Sequence, residues 1–226
     1  MNRQLIVTAD GSPSFRIEDL KETYHSRHGA RTESQYVYID MGLCFWNAKP
    51  HSTKTCRIFE MGFGTGINAL LTFQNAKKLP LDIHYHTIEK YPLSQEEINL
   101  LAQSNLIDSP STNSFFQKIH GPHWRTRQSI SPHFTFLKEQ QDLFQHTFLS
   151  TYDLIYYDAF GAHAQPELWS DAALKPLCAA LAPGGVWVSY CAKGSVRRLL
   201  ESFGLHVERL EGPPGKREML RATKTE

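Results

Sequence analysis

The sequence predicts a Rossmann-like α/β domain, built on a mostly parallel seven-stranded sheet whose last strand is antiparallel. Three observations carry this. An apolar run, Ile58-Phe59, stops at Glu60 and gives way to Met61-Gly62-Phe63-Gly64-Thr65-Gly66, after which Ile67, Leu70 and Leu71 repeat with helical spacing. From Thr55 onward short apolar strands alternate with helical stretches, the rhythm of β-α-β units. The chain closes on two strand patterns, Leu205 to Leu210 and Glu218 to Thr223, joined by Gly212-Pro213-Pro214-Gly215.

With 226 residues, 41% of them hydrophobic, the chain suits one domain spanning 1–226, with residues 1–54 as an N-terminal elaboration. A formal charge of +1 gives no overall electrostatic case for nucleic acid, so any such contact needs a local patch. Cys44, Cys56, Cys178 and Cys191 form no Cys-x-x-Cys pair, which points to free thiols in a reducing compartment. Neither an apolar signal core after Met1 nor a run of some twenty apolar residues is seen, so a soluble, cytoplasmic protein without a membrane partner is expected.

In chain order, Leu5-Ile6-Val7-Thr8 and Ser14-Phe15-Arg16-Ile17 flank Asp10-Gly11 and read as a hairpin. Glu18 to His28 reads as a helical or irregular link, and Tyr36-Val37-Tyr38-Ile39 as another short strand. The helix after Gly66 is expected to reach about Lys78 and stop at Pro80. Ile83 to Ile88 alternates as a strand ending at Glu89-Lys90. His84 and His86 share a face there, but with no third ligand nearby they read as ordinary strand residues, and no metal is expected. Ser94, followed by Glu96 and Glu97, caps a helix to Leu101.

Residues 103–132 are longer than a plain crossover needs and are expected to be a helical insertion, either a lid or a surface elaboration. Phe134 to Leu137 and Tyr152 to Tyr157 are the next strands. A helix from about Glu167 to Leu181 then ends at Pro183-Gly184-Gly185, before the strand Val186 to Tyr190. Ser195 to Phe203 forms a helix stopped by Gly204.

The glycine turn narrows the ligand. A dinucleotide fingerprint would put its third Gly at Ile67, and a P-loop would need a Lys after Gly66. Glu-x-Gly-x-Gly-x-Gly suits S-adenosylmethionine better, with a glycine-rich turn of unrelated purpose as the alternative. Ligands of open parallel sheets bind beyond the strand C-termini, and four acids fall there: Glu60, Glu89, Asp142 and Asp158. Glu89 is placed to take ribose hydroxyls and Asp142 an adenine amino group. Asp158-Ala159-Phe160 follows the fourth strand of the unit. Asp158 is placed to steer an acceptor amine, or is simply a strand-end cap, and Phe160 to shelter a sulfonium.

Phe59 to Asn68, Ile88-Glu89-Lys90-Tyr91-Pro92-Leu93-Ser94, Tyr157-Asp158-Ala159-Phe160, Gln165 to Trp169 and Gly215-Lys216-Arg217-Glu218-Met219-Leu220 together resemble the MnmC-like methyltransferases. The likeness reaches back to Tyr24-His25-Ser26 and Glu33-Ser34. It implies a class I S-adenosylmethionine-dependent methyltransferase fold and methylation of 5-aminomethyl-2-thiouridine at the tRNA wobble position. It also implies that Gly62, Gly64 and Gly66, with Glu60 and Asn68 beside them, hold the cofactor, Glu89 its ribose, and that Asp158 sits at the reacting amine. Many family members carry a fused flavin oxidase, for which 226 residues leave no room. No FAD is therefore expected, and either a separate enzyme supplies the aminomethyl uridine or this chain accepts a different amine. Lys193, Arg197, Lys216 and Arg217 are the candidate tRNA phosphate contacts, diluted by nearby glutamates. Two other readings stay open: an aminopropyltransferase acting on a polyamine, and an RNA-binding protein with a silent cofactor pocket.

Overall fold

The computed structural model describes residues 2–50 and 53–225. Strands β1 (Arg3–Val7) and β2 (Pro13–Ile17) pair antiparallel around Asp10-Gly11, where Gly11 takes a positive φ of 81°. Asp10 ties the turn together by accepting from Thr8 Oγ1 and the Ser12 N–H. A short strand β3 (Glu22–Thr23) adds to β2, so the stretch expected as a link turns the hairpin into a three-stranded sheet.

The expected strand at Tyr36–Ile39 is instead helical. Ala30–Ser34 (α1), Gln35–Cys44 and Phe45–Asn47 (α2) run on as one helix, wound with π geometry over Gln35–Cys44. β-branched and aromatic residues favour strands only where a sheet accepts them, and here packing wins over propensity. Val37, Tyr38, Ile39 and Leu43 are all buried, and Tyr38 lies 5.2 Å from Tyr156 between ring centres. Gly42 allows the close approach: a Cβ there would stand 3.1 Å from Val188 Cγ2.

The β-α-β rhythm then appears as expected. β4 (Thr55–Met61) leads through α3 (Ile67–Ala76) to β5 (Asp82–Glu89), and α4 (Gln95–Ala102) follows with Ser94 and Glu97 closing a capping box. Residues 103–132 hold α5 (Pro110–His120) and β6 (Gln128–Ser131), an edge strand antiparallel to β7 (Phe134–Gln140). That insertion is core rather than lid over its apolar part: Phe115 stacks on Phe73 with ring centres 4.1 Å apart, and Phe116 is fully buried. β8 (Tyr152–Tyr157), α6 (Asp171–Ala180), β9 (Leu181–Ser189), α7 (Gly194–Ser202), β10 (Leu205–Glu211) and β11 (Glu218–Lys224) complete the chain.

The main sheet has eight strands in the order β10-β11-β9-β8-β4-β5-β7-β6, so the seven expected strands gain an eighth from the insertion. β7, β5, β4, β8 and β9 are mutually parallel, while β11 runs antiparallel to β9. Side chains alternate between two cores. Ile58, Tyr85 and Tyr156 face α3 and the N-terminal helix, and Phe59, Ile155, Tyr157 and Trp187 face α6 and α7. The chain leaves β4 toward β5 on one side and returns to β8 on the other. The switch point therefore lies between β4 and β8, where a ligand crevice is expected. All four cysteines are unpaired, and among the described residues no helix is long and apolar enough to cross a membrane.

Candidate active site

A cavity of about 270 Å³ opens at that switch point. Gly62 and Gly64 floor it, with Asn68 at the start of α3, Glu89 at the end of β5, Asp142 after β7, and Asp158 and Phe160 after β8. Seven of the residues singled out from the sequence thus share one wall system. Glu60 and Gly66 do not line it. Gly66 is the N-cap of α3 at φ 74°, and a Cβ there would stand 2.9 Å from His120 Nε2, so it shapes the loop from behind.

The loop geometry suits a ligand lying on main chain. Gly62 has φ 89°, and a Cβ on it would stand 2.9 Å from the Asp158 carbonyl oxygen. Glu89 holds the loop from the facing strand by accepting from the Gly64 N–H at 3.0 Å and the Tyr91 N–H at 2.8 Å. No lysine follows the glycines to grip a phosphate, and the other lining includes Met61, Ile67, Ile88 and Leu143. Asp142 is already engaged: it caps a short 3-10 turn at Leu143–Gln145 and pairs with Lys90 at 2.8 Å. Its hydrogen-bonded Lys90 ammonium holds its carboxyl below the ordinary value.

Two carboxyls flank Asn68. Asp158 accepts from Asn68 Nδ2 at 2.8 Å, and burial pushes its carboxyl up to about 6, against the pull of Tyr38, Asn68 and Lys216. Glu60 is fully buried beneath the loop with neither carboxylate oxygen in hydrogen-bond geometry. Burial drives its carboxyl well above the ordinary value. Glu60 therefore belongs to the loop's support, one layer behind the cavity.

A second cavity of about 230 Å³ meets the first at Asp158 and Phe160. Its walls carry Glu22, Glu33, Tyr190 and Lys216 together with Tyr24 and His25, which line both cavities. Lys216, expected on an RNA face, turns inward instead. It pairs with the buried Glu33, and its ammonium lies 3.9 Å from the Tyr190 ring centre. Arg197 pairs with Glu201 along α7, whereas Lys193 and Arg217 are exposed.

The N-terminal sheet covers this junction. Tyr24 packs edge-on to Phe160 at 5.2 Å, and its ring would touch a Cβ at Gly64. Arg3 clasps the cover down, donating to Tyr24 Oη at 2.8 Å, to Glu97 at 3.1 Å and to the Tyr91 carbonyl, with its side chain only 6% exposed. Arg3→Ala is expected to cost about 2–3 kcal/mol in urea unfolding, because it strands a partly buried carboxylate and hydroxyl. Sequence reasoning assigned no role to Tyr24, Glu33, Tyr38 or Tyr190. The signal for Tyr190 was available, since it directly follows a parallel strand's C-terminal end.

A family model described as S-adenosyl-L-methionine-dependent methyltransferase matches residues 131–225. The chain is 27% identical, over 96% of its length, to the tRNA 5-methylaminomethyl-2-thiouridine biosynthesis bifunctional protein MnmC of Aromatoleum aromaticum, covering 35% of that protein. It is 28% identical, over 95% of its length, to the protein of the same name from Cupriavidus metallidurans, covering 33% of it. It thus spans about a third of the length of these relatives. Among solved structures, MNMC2 from Aquifex aeolicus superposes with a TM-score of 0.79 at 24% identity, over 98% of this chain and 70% of that one. A SAM-dependent O-methyltransferase from Thermotoga maritima superposes with a TM-score of 0.53 at 15% identity, over 98% and 77% of the two chains. These last two likenesses speak to the fold, which is that of the class I methyltransferases. Taken with the glycine loop at the switch point, the matches bear out the resemblance to the MnmC-like S-adenosyl-L-methionine-dependent methyltransferase domains.

Proposed function

We propose that the chain is an N-methyltransferase that converts the 5-aminomethyl group of wobble 2-thiouridine in tRNA to 5-methylaminomethyl. The observation that carries the reading is the meeting of two cavities at Asp158 and Phe160: one floored by the glycine loop, the other walled by acids and aromatic rings. The names of the relatives point the same way. Bound S-adenosyl-L-methionine supplies an electrophilic methyl group. Gly62 and Gly64 would offer it bare backbone, Glu89 would take the ribose hydroxyls, and Asp142 would take the adenine amino group at the expense of Lys90.

A primary amine arrives as ammonium, which has no free electron pair. Asp158 accepts an N–H of that group and, by taking its proton, frees the nitrogen lone pair, while Glu33 stands in the same cavity wall. The Tyr190 ring face already holds the Lys216 ammonium 3.9 Å from its centre, and Tyr24 and Phe160 add aromatic wall beside it. Exposed Lys193 and Arg217 remain for tRNA phosphates.

The test incubates the protein with S-adenosyl-L-methionine and tRNA bearing 5-aminomethyl-2-thiouridine, followed by nucleoside mass spectrometry. Appearance of the 5-methylaminomethyl nucleoside is expected. Cofactor binding by calorimetry without transfer would overturn the acceptor, and no binding would overturn the whole reading. Glu89→Gln is expected to weaken the cofactor by about 10–100-fold in the same titration, the loss of charged acceptor bonds.

A further inference from the structure

On β5 and β7, away from both cavities, the parallel register sets Glu139 diagonally beside His86 on one face, and the loop after the Leu143–Gln145 turn folds His146 onto them. We propose that His86, Glu139 and His146 form a binding site for a divalent transition metal of the zinc class.

The spacing is what a metal requires. Glu139 Oε2 lies 3.4 Å from His86 Nε2 and 3.5 Å from His146 Nδ1. Atoms bound to a tetrahedral zinc at about 2.0–2.1 Å sit about 3.3–3.4 Å from one another, whereas N–H···O bonds of that length are poor. The second ring nitrogen of His86 is already oriented, 2.6 Å from the Tyr152 hydroxyl, the arrangement that turns a histidine toward a metal.

His146 is short of a partner as it stands. Its Nδ1 lies 3.0 Å from Gln141 Oε1, while its Nε2 is buried with no hydrogen-bond partner, and the side chain is 5% exposed. With Nδ1 protonated, the Nε2 lone pair is buried unused. With Nε2 protonated, the Nδ1 lone pair faces two oxygen acceptors, an arrangement that a cation between them would satisfy. Two imidazoles with one carboxylate select zinc, cobalt or nickel over magnesium or calcium. Arg127 lines the mouth of this cavity and opposes a bare dication, so a hydroxide or other anion would complete the shell.

The experiment titrates ZnCl2 into chelator-treated protein by calorimetry, and CoCl2 with visible absorption. One zinc per chain is expected, with the intense d–d bands of tetrahedral cobalt and a higher thermal midpoint in excess zinc. His146→Ala should abolish these signals, and Tyr152→Phe should weaken binding by about tenfold. Because His146 sits in a loop, circular dichroism of His146→Ala should match that of the parent; Glu139→Gln provides an independent loss of a ligand. Absence of saturable zinc binding overturns the site. Equal binding by both ligand variants also overturns it, placing the ion on others of the eleven histidines.

Discussion

Asp158→Asn is expected to lower kcat by about 10²–10⁴-fold while leaving cofactor affinity nearly unchanged, since it removes a proton acceptor and little bulk. The amide oxygen still accepts from Asn68 Nδ2, so the end of β8 keeps its shape. The pH profile separates this role from a structural one. Burial raises the Asp158 carboxyl to about 6, and only its ionised form accepts a proton. Parent kcat/KM should therefore climb as pH rises through about 6, and the Asn variant should lack that limb. The stability sign also favours a clean result. A carboxyl raised in the folded state binds its proton more tightly there than in the unfolded chain, so ionisation between about 4 and 6 takes stability away. Above that window the Asn variant should be no less stable than the parent. Normal methyl transfer by this variant would remove Asp158 from the chemistry.

The second large effect is at the loop. Gly62→Val should abolish measurable cofactor binding, a weakening beyond about 100-fold. Two costs combine. A β-branched residue at φ 89° is strained, with about 1–2 kcal/mol from the left-handed backbone alone. Its Cβ would also stand 2.9 Å from a backbone oxygen, that of Asp158, which has no flexible end to swing aside. The ends of β4 and β8 would have to part. Gly184→Ala is the control: φ there is 71°, but nothing lies within 4 Å of the added carbon. It should lose about 1 kcal/mol of stability and keep its cofactor. If both variants bind equally, the glycine loop is not the cradle.

The first cavity was legible because its signals are local. A glycine turn after a strand, and one acid per strand end, need only the switch-point rule to be brought together, and Glu89, Asp142 and Asp158 do line one cavity. Glu60 shows the limit of that rule. Being inside the strand's last turn of pleat, it points into the protein interior and is fully buried. The second cavity was not legible, because its members meet only through tertiary packing. Tyr36-Val37-Tyr38-Ile39 has strand-like residues, yet becomes a helix because the sheet below offers it an apolar bed on which Tyr38 and Gly42 fit. Lys216 looks like a surface cation in sequence, and only the fold shows it the buried Glu33. His146 is equally silent until the turn capped by Asp142 carries it back to His86.

One consequence concerns the order in which the parts can come into being. Glu33 meets Lys216 across 183 positions of chain, and the Tyr36 hydroxyl donates to the Glu211 carbonyl across 175. During synthesis the β4-α3-β5 unit is complete more than a hundred residues before those partners emerge, so the wall that Glu33 and Lys216 share closes only through contacts of very high sequence separation.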